Sequence, residues 1–251
     1  VALTGAGLST RSGIPDFRSD AGLWDGVDPM EVASIQAFRR QPENFYRWLR
    51  PLAQTMLQAE PNAAHHALAH MAANGRLQAI IAQNIDIVDL EAAYDVRVIT
   101  QNIDMLHTNA GSQTVFELHG HMRHATCPTC DHVAAASPLI QQFIQSGAVP
   151  RCPKCDTIVK PDVILFGELL PRRIMLQAQA AIQNCDLLIV AGSSLEVAPA
   201  GDLPRIAKAN GARIIMVNYA ATYLDALADI VFHDDVATVL PLLAEQLENE
   251  K

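Results

Sequence analysis

The chain has 251 residues, of which half are hydrophobic and 18% charged. That composition builds a core and excludes a wholly disordered chain. Its formal net charge of −9 argues against direct nucleic-acid binding, which depends on neutralising phosphates with cations, and is compatible with a cationic partner such as a lysine-bearing peptide. No run of eighteen apolar residues predicts a membrane-spanning helix. The opening Val1-Ala2-Leu3-Thr4-Gly5 lacks the basic and long apolar regions of a signal peptide. It reads as a strand that starts abruptly, with the expectation that residues upstream are absent from the sequence. Four of the five cysteines form two Cys-x-x-Cys pairs, which suits a reducing, cytoplasmic compartment and a metal better than disulfides.

Val1 to Thr4 is an apolar run that ends in Gly5-Ala6-Gly7. Residues 96–99, 187–192 and 213–218 repeat that form, each aliphatic and each ending in small or polar residues. This pattern predicts buried parallel strands whose carboxyl ends open onto a site. Helical patterns over 172–184, after Pro171, and over 203–210, stopped at Gly211, lie between them. The alternation predicts an α/β fold with a doubly wound parallel sheet. Residues 31–75 are helical in pattern, with Phe38, Phe45, Trp48, Leu49, Leu52 and Met56 in a stripe that reads as core. Residues 121–160 have little room for a core and call for a staple. One internal repeat, Gln83-Asn84-Ile85-Asp86 and Gln101-Asn102-Ile103-Asp104, has an offset of eighteen residues. That spacing is too short for a solenoid unit, so one copy is expected to be functional and the other packed or looped out.

The staple is at hand. Cys127-Pro128-Thr129-Cys130 is followed after twenty-one residues by Cys152-Pro153-Lys154-Cys155. Two such knuckles complete a closed tetrahedron of thiolates around zinc, a structural rather than catalytic arrangement because no position stays open. Two redox dithiols or four buried thiols are the alternatives. His124 and His132 are spare ligands nearby, and Cys185 reads as a small buried hydrophobe.

Gly5-Ala6-Gly7-Leu8-Ser9 can bring backbone N–H groups close to a pyrophosphate, or it can simply be a tight strand-to-helix connection. It is not Gly-x-Gly-x-x-Gly, and no strand ending in an acidic ribose ligand follows, which disfavours a hydride-transfer dehydrogenase. The polar segment Gly13-Ile14-Pro15-Asp16-Phe17-Arg18-Ser19-Asp20 comes instead. Asn102 and Asp104 can hold an amide or a water. His119, in Leu118-His119-Gly120, can act as a general base or be a satisfied structural residue.

Together with Lys160 to Glu168, Gly192-Ser193-Ser194 and Val217-Asn218, these motifs resemble, in this order and over almost the whole chain, the sirtuins, zinc-containing NAD-dependent protein deacylases. The resemblance implies a Rossmann-like domain of residues 1–30, 76–120 and 161–251. A small module would consist of a helical part, 31–75, and a zinc-binding part, 121–160, with NAD lying between module and domain. It assigns the cofactor to Gly5, Ala6, Gly7, Ser9, Asp16, Phe17, Arg18, Trp24, Gln101, Asn102, Ile103, Asp104, Gly192, Ser193, Ser194 and Asn218. Acylated lysine would lie in a tunnel, its backbone adding as a strand between Val163, Ile164, Phe166, Gly167 and Glu168 on one side and Leu195, Glu196 and Val197 on the other. The implied catalytic residues are His119, Asn102 and Asp104. By the resemblance the acyl oxygen would attack the ribose carbon as nicotinamide leaves, and His119 would remove a ribose hydroxyl proton. The products would be free lysine and acylated ADP-ribose, and a loop over residues 9–30 is expected to close the site.

Of the two repeat copies, the second is expected to occupy the pocket, because only it runs on into Met105-Leu106-His107. Relatives selective for acidic acyl groups carry Tyr-x-x-Arg. Here Tyr46 is followed by Arg47 and Arg50, which favours acetyl or apolar acyl groups and leaves Tyr46 and Arg50 as a solvated helix face. Mono-ADP-ribosyl transfer and a non-catalytic NAD-sensing module are the competing readings.

Overall fold

The computed structural model describes residues 1–17, 19, 22–73 and 98–249. Arg18, the first repeat copy and the start of the expected second strand lie outside these residues. In chain order the elements are β1 (Ala2–Thr4), α1 (Pro29–Val32), α2 (Ile35–Arg40), α3 (Pro42–Gln58), α4 (Ala63–Ala73), β2 (Val98–Thr100), α5 (Leu106–Asn109), β3 (Val115–Glu117), β4 (Gly120–Thr126), β5 (Val133–Ala135), α6 (Ala136–Ser146), β6 (Lys160–Val163), α7 (Arg172–Gln183), β7 (Leu187–Ala191), α8 (Leu203–Ala209), β8 (Arg213–Val217), β9 (Ile230–Phe232) and α9 (Val236–Asn249).

A parallel sheet of order β3-β2-β1-β7-β8-β9 forms the large body. The chain winds outward from β1 to β2 and β3, then returns to start again at β7. The order therefore reverses between β1 and β7, where open α/β sheets place their ligands. Adjacent residues of each strand face opposite layers. Leu3, Val190 and Met216 pack with α7 and α8, through Ile182, Leu203 and Ala207. Ala2, Ile189 and Val217 pack with α4 and α9, through Leu68, Met71 and Leu240. Burial on both faces is why these strands read as continuous apolar runs. The edge strands β3 and β9, three residues each, carry no such run and were not expected.

The second body holds the antiparallel sheet β5-β4-β6. Its core joins Phe38, Phe45, Leu49 and Leu52 of α2 and α3 to Ile140 and Phe143 of α6 and to Ala125, Val159 and Val163. The described helices of this region thus serve two cores, α2 and α3 beside the cysteines and α4 on the large sheet. Tyr46 and Arg50 are not a solvated face. Tyr46 is wholly buried, donates its hydroxyl to the Val159 carbonyl at 2.8 Å and meets the Phe143 ring edge-on at 5.2 Å. Arg50 donates to the Ile144 carbonyl at 2.5 Å and lies over the Phe143 ring.

Phe143 is therefore the joint between α3 and α6. Phe143→Ala should cost roughly 3–5 kcal/mol, the usual loss for emptying an aromatic core position, read as a lowered midpoint in chemical denaturation. An unchanged midpoint would contradict this packing.

Candidate functional site

The crevice begins with a contact that only glycine permits. Gly7 N–H donates to the Gly192 carbonyl at 2.9 Å, and Gly5 N–H donates to Ala191 at 3.2 Å. These bonds tie the loop after β1 to the end of β7. A Cβ on Gly192, whose φ is +61°, would lie 2.3 Å from the Leu8 nitrogen, and one on Gly5 would lie 2.7 Å from the Gly192 oxygen. Both positions are closed to any side chain. Two 3₁₀ turns, Ala6–Leu8 and Thr10–Ser12, follow.

Behind this loop Ser9 ties the second repeat copy to the first loop. Its hydroxyl donates to Asp104 Oδ2 at 2.5 Å and accepts from Asn102 Nδ2 at 3.1 Å. Asn102 Nδ2 also donates to the Gly5 carbonyl at 3.1 Å, so its amide oxygen stays available as an acceptor. The Asn62 N–H donates to His65 Nδ1 at 3.3 Å, which leaves the His65 proton on Nε2, 3.5 Å from Ser9 Oγ. Burial holds His65 neutral, its pKa pushed down to about 3. Burial pushes the Asp104 carboxyl up, opposed by the Ser9 hydroxyl and the Leu106 N–H.

His119 follows β3 and precedes β4. Its Nδ1 lies 3.1 Å from the Gln101 carbonyl. A carbonyl only accepts, so Nδ1 carries the proton and Nε2 keeps its lone pair. Burial pulls its pKa below the ordinary 6.5, partly offset by that bond. Gly120 has a φ of +76°, and a Cβ there would lie 2.0 Å from the Asp162 oxygen. Glycine is therefore required after this histidine.

A cavity of about 1160 Å³ lies over the strand ends. Its wall brings together Gly5, Ala6, Gly7, Asp16, Phe17, Trp24, Gln101, Asn102, Ile103, His119, Gly192, Ser193, Ser194 and Asn218. Val163, Ile164, Phe166, Gly167, Glu168, Glu196 and Val197 line it as well. Ser9 and Asp104 stand behind the wall rather than in it. Leu195 is 1% exposed and packs its side chain in the core, at a φ of +62°, so only its backbone is left for a strand to add beside it. Sequence reasoning missed Trp48, which stacks on Trp24 at 5.2 Å and lines the cavity. The helical stripe signalled it but was read as core alone. His65 was also missed, because a lone histidine in an alanine-rich helix gives no signal.

Asn218 shows what the crevice can hold. Its Oδ1 accepts the Ser193 N–H at 2.8 Å, while its buried Nδ2 has no hydrogen-bond partner. A buried donor left unpaired is costly. A ribose or phosphate oxygen would satisfy it, and the glycine-walled loop beside it suits a dinucleotide.

The four cysteine sulfurs all lie within 4.8 Å of one another, with Cys127 to Cys155 at 3.4 Å and Cys130 to Cys152 at 3.6 Å. A disulfide needs about 2.0 Å, whereas thiolates around one zinc at about 2.3 Å stand a little under 4 Å apart. The two knuckles are built alike. Cys127 N–H donates to His132 and Asp131 N–H to Cys127; Cys152 N–H donates to Thr157 and Asp156 N–H to Cys152. Asp131 and Asp156 both take positive φ, at 54° and 59°, which aspartate tolerates. The cage fits a structural zinc. The long spacer between the pairs holds β5 and α6. Cys152→Ser should lose that zinc and lower the melting temperature. A full equivalent of zinc retained by this variant after dialysis against a chelator would count against four-sulfur ligation.

Comparison with known proteins agrees with this geometry. The Sir2 family profile matches residues 5–96 and 87–199. The NAD-dependent protein deacylase 2 of Archaeoglobus fulgidus is 42% identical over 249 residues, covering 99% of this chain and 90% of the relative. A solved Sir2 homologue–NAD complex matches with a TM-score of 0.83 at 35% identity, covering 99% of this chain and 89% of that one. A Sir2 structure with deacetylated p53 peptide and 3′-O-acetyl ADP-ribose matches with a TM-score of 0.84 at 35% identity, covering 99% and 92%. With the glycine crevice, the oriented histidine and the cysteine cage already in place, this chain belongs to the Sir2 family.

Proposed function

We propose that the chain is an NAD-dependent protein lysine deacetylase that moves the acyl group from lysine to ADP-ribose and releases nicotinamide. The observation that carries this reading is His119, held in one tautomer on the wall of the cavity that Asn218, Asn102 and the glycine loop also line. When bound, NAD supplies an electrophilic ribose carbon and a leaving group. The chain's own residues do the rest. Asn218 Nδ2 binds the dinucleotide, and the glycines of the loop Gly5 to Gly7 leave room for it to approach. Asn102 offers its amide oxygen to the carboxamide, and Asp104, through Ser9, fixes where that amide sits. His119 Nε2 takes a proton from a ribose hydroxyl, and the Gln101 carbonyl stabilises the imidazolium that forms.

The acyl chain would run past Phe45, Trp48, Leu49, Val163 and Leu165, all on the cavity wall. Tyr46 and Arg50 turn away into the small-module core and so do not form a tyrosine–arginine pair for an acidic acyl group, and acetyl or apolar acyl groups are the proposed substrates. The substrate peptide would lie along 163–168, where Glu168 presently caps the Leu165 N–H at 2.8 Å and meets Lys160 Nζ at 3.0 Å. No helix among the described residues is long and apolar enough to cross a membrane. A cytoplasmic location rests on the unpaired cysteines, and the absence of nucleic-acid binding rests on the net charge of −9.

His119→Ala should cut deacylation by about 10²–10⁴-fold, the usual worth of a positioned base, while NAD binding by calorimetry is kept. For the native enzyme kcat/KM should fall on the acid side, because protonation of Nε2 removes the base. The apparent pKa of that limb should lie below 6.5, since burial lowers it. Near-native turnover by the variant would refute the assignment.

A further inference from the structure

We propose a second metal site, built by His121, His124 and Asp162, for a divalent transition-metal ion such as zinc, cobalt or nickel. One ligand atom from each lies within 4.8 Å of the other two, and no cysteine belongs to the group. The local backbone explains how they meet. In a regular strand residues 121 and 124 would face opposite sides of the sheet. The register between β4 and β6 is broken here: β4 advances from Gly120 to Ala125 while β6 moves only from Val163 to Pro161. That bulge, opened by the positive φ of Gly120, lets both imidazoles gather over Asp162. Their rings stand edge to face with centroids 5.5 Å apart.

The supporting contacts resemble those of a metal site. Asp162 Oδ1 accepts the Thr126 hydroxyl at 2.7 Å, which orients the carboxylate as a second-sphere donor does. His121 Nδ1 is buried without a hydrogen-bond partner, a rarity in folded proteins, so this imidazole has capacity that no protein group uses. The nearby cation, Arg123, does not oppose a metal with its full charge. It makes a two-pronged pair with buried Glu117, one arm at 2.8 Å and the other from Nη2 to Oε2. Two imidazoles and one carboxylate favour a borderline transition metal over magnesium or calcium. Three protein ligands leave an open position for water, and His124 is exposed, so the ion would exchange with solvent. It would tie β4, which directly follows His119, to β6, which leads into the peptide-docking segment.

The test uses the enzyme with its cysteine site already filled by zinc. Equilibrium dialysis against cobalt(II) should add one equivalent, whose visible spectrum shows ligand-field bands without the intense thiolate charge-transfer absorption of a cysteine site. His124→Ala and His121→Ala should each weaken this uptake at least about 10-fold, with excess magnesium failing to compete. Retained thermal stability and NAD binding would show that the variants are folded. A native enzyme that takes up no second equivalent would overturn the proposal. So would variants that take it up as tightly as the native protein, or bands of thiolate character. Because the readout is metal uptake, failure here would leave the deacetylase reading untouched.

Discussion

One hydrogen bond orders the crevice of this molecule: His119 Nδ1 to the carbonyl of Gln101, at 3.1 Å. It decides which ring nitrogen carries the proton and which faces the cavity. Gln101 is the residue that follows β2, so the sheet itself aims the imidazole. The same short segment carries Asn102 and Asp104, which Ser9 ties to the loop after β1. Imidazole, amide and glycine loop are thus held by three adjacent strand ends, β3, β2 and β1. A shift of any one strand would move all three groups relative to one another.

The glycines make this geometry possible. Gly5 and Gly192 let the β1 loop and the end of β7 touch, at the place where the strand order reverses. Gly120 lets β4 leave His119 against the Asp162 carbonyl. The cysteine cage acts at a distance from the chemistry. It holds the knuckles from which β4, β5 and β6 extend, and through Phe143 and Tyr46 the helices that bring Trp48 to the cavity.

Much of this was legible in the sequence, for physical reasons. β1, β7 and β8 are buried on both faces and announce themselves as apolar runs. Paired thiols at fixed spacing in a core-poor segment have few uses besides a metal. β3 and β9 are three-residue edges whose stability comes from a neighbour, so nothing local marks them. Trp48 shares a helical stripe with true core residues, and periodicity cannot separate a ring that faces a cavity from one that faces a helix. The Asn102 copy of the repeat lies in the cavity wall, and the earlier copy falls outside the described residues.

The central claim is that the glycine crevice and the acyl-lysine groove form a single site, in which NAD cleavage is coupled to acyl transfer. The most direct measurement is nicotinamide release from NAD with and without an acetyl-lysine peptide. Release should depend on the peptide and match, mole for mole, the deacetylated lysine formed. Release that proceeds equally without the peptide, or with ADP-ribose appearing on protein instead, would contradict it.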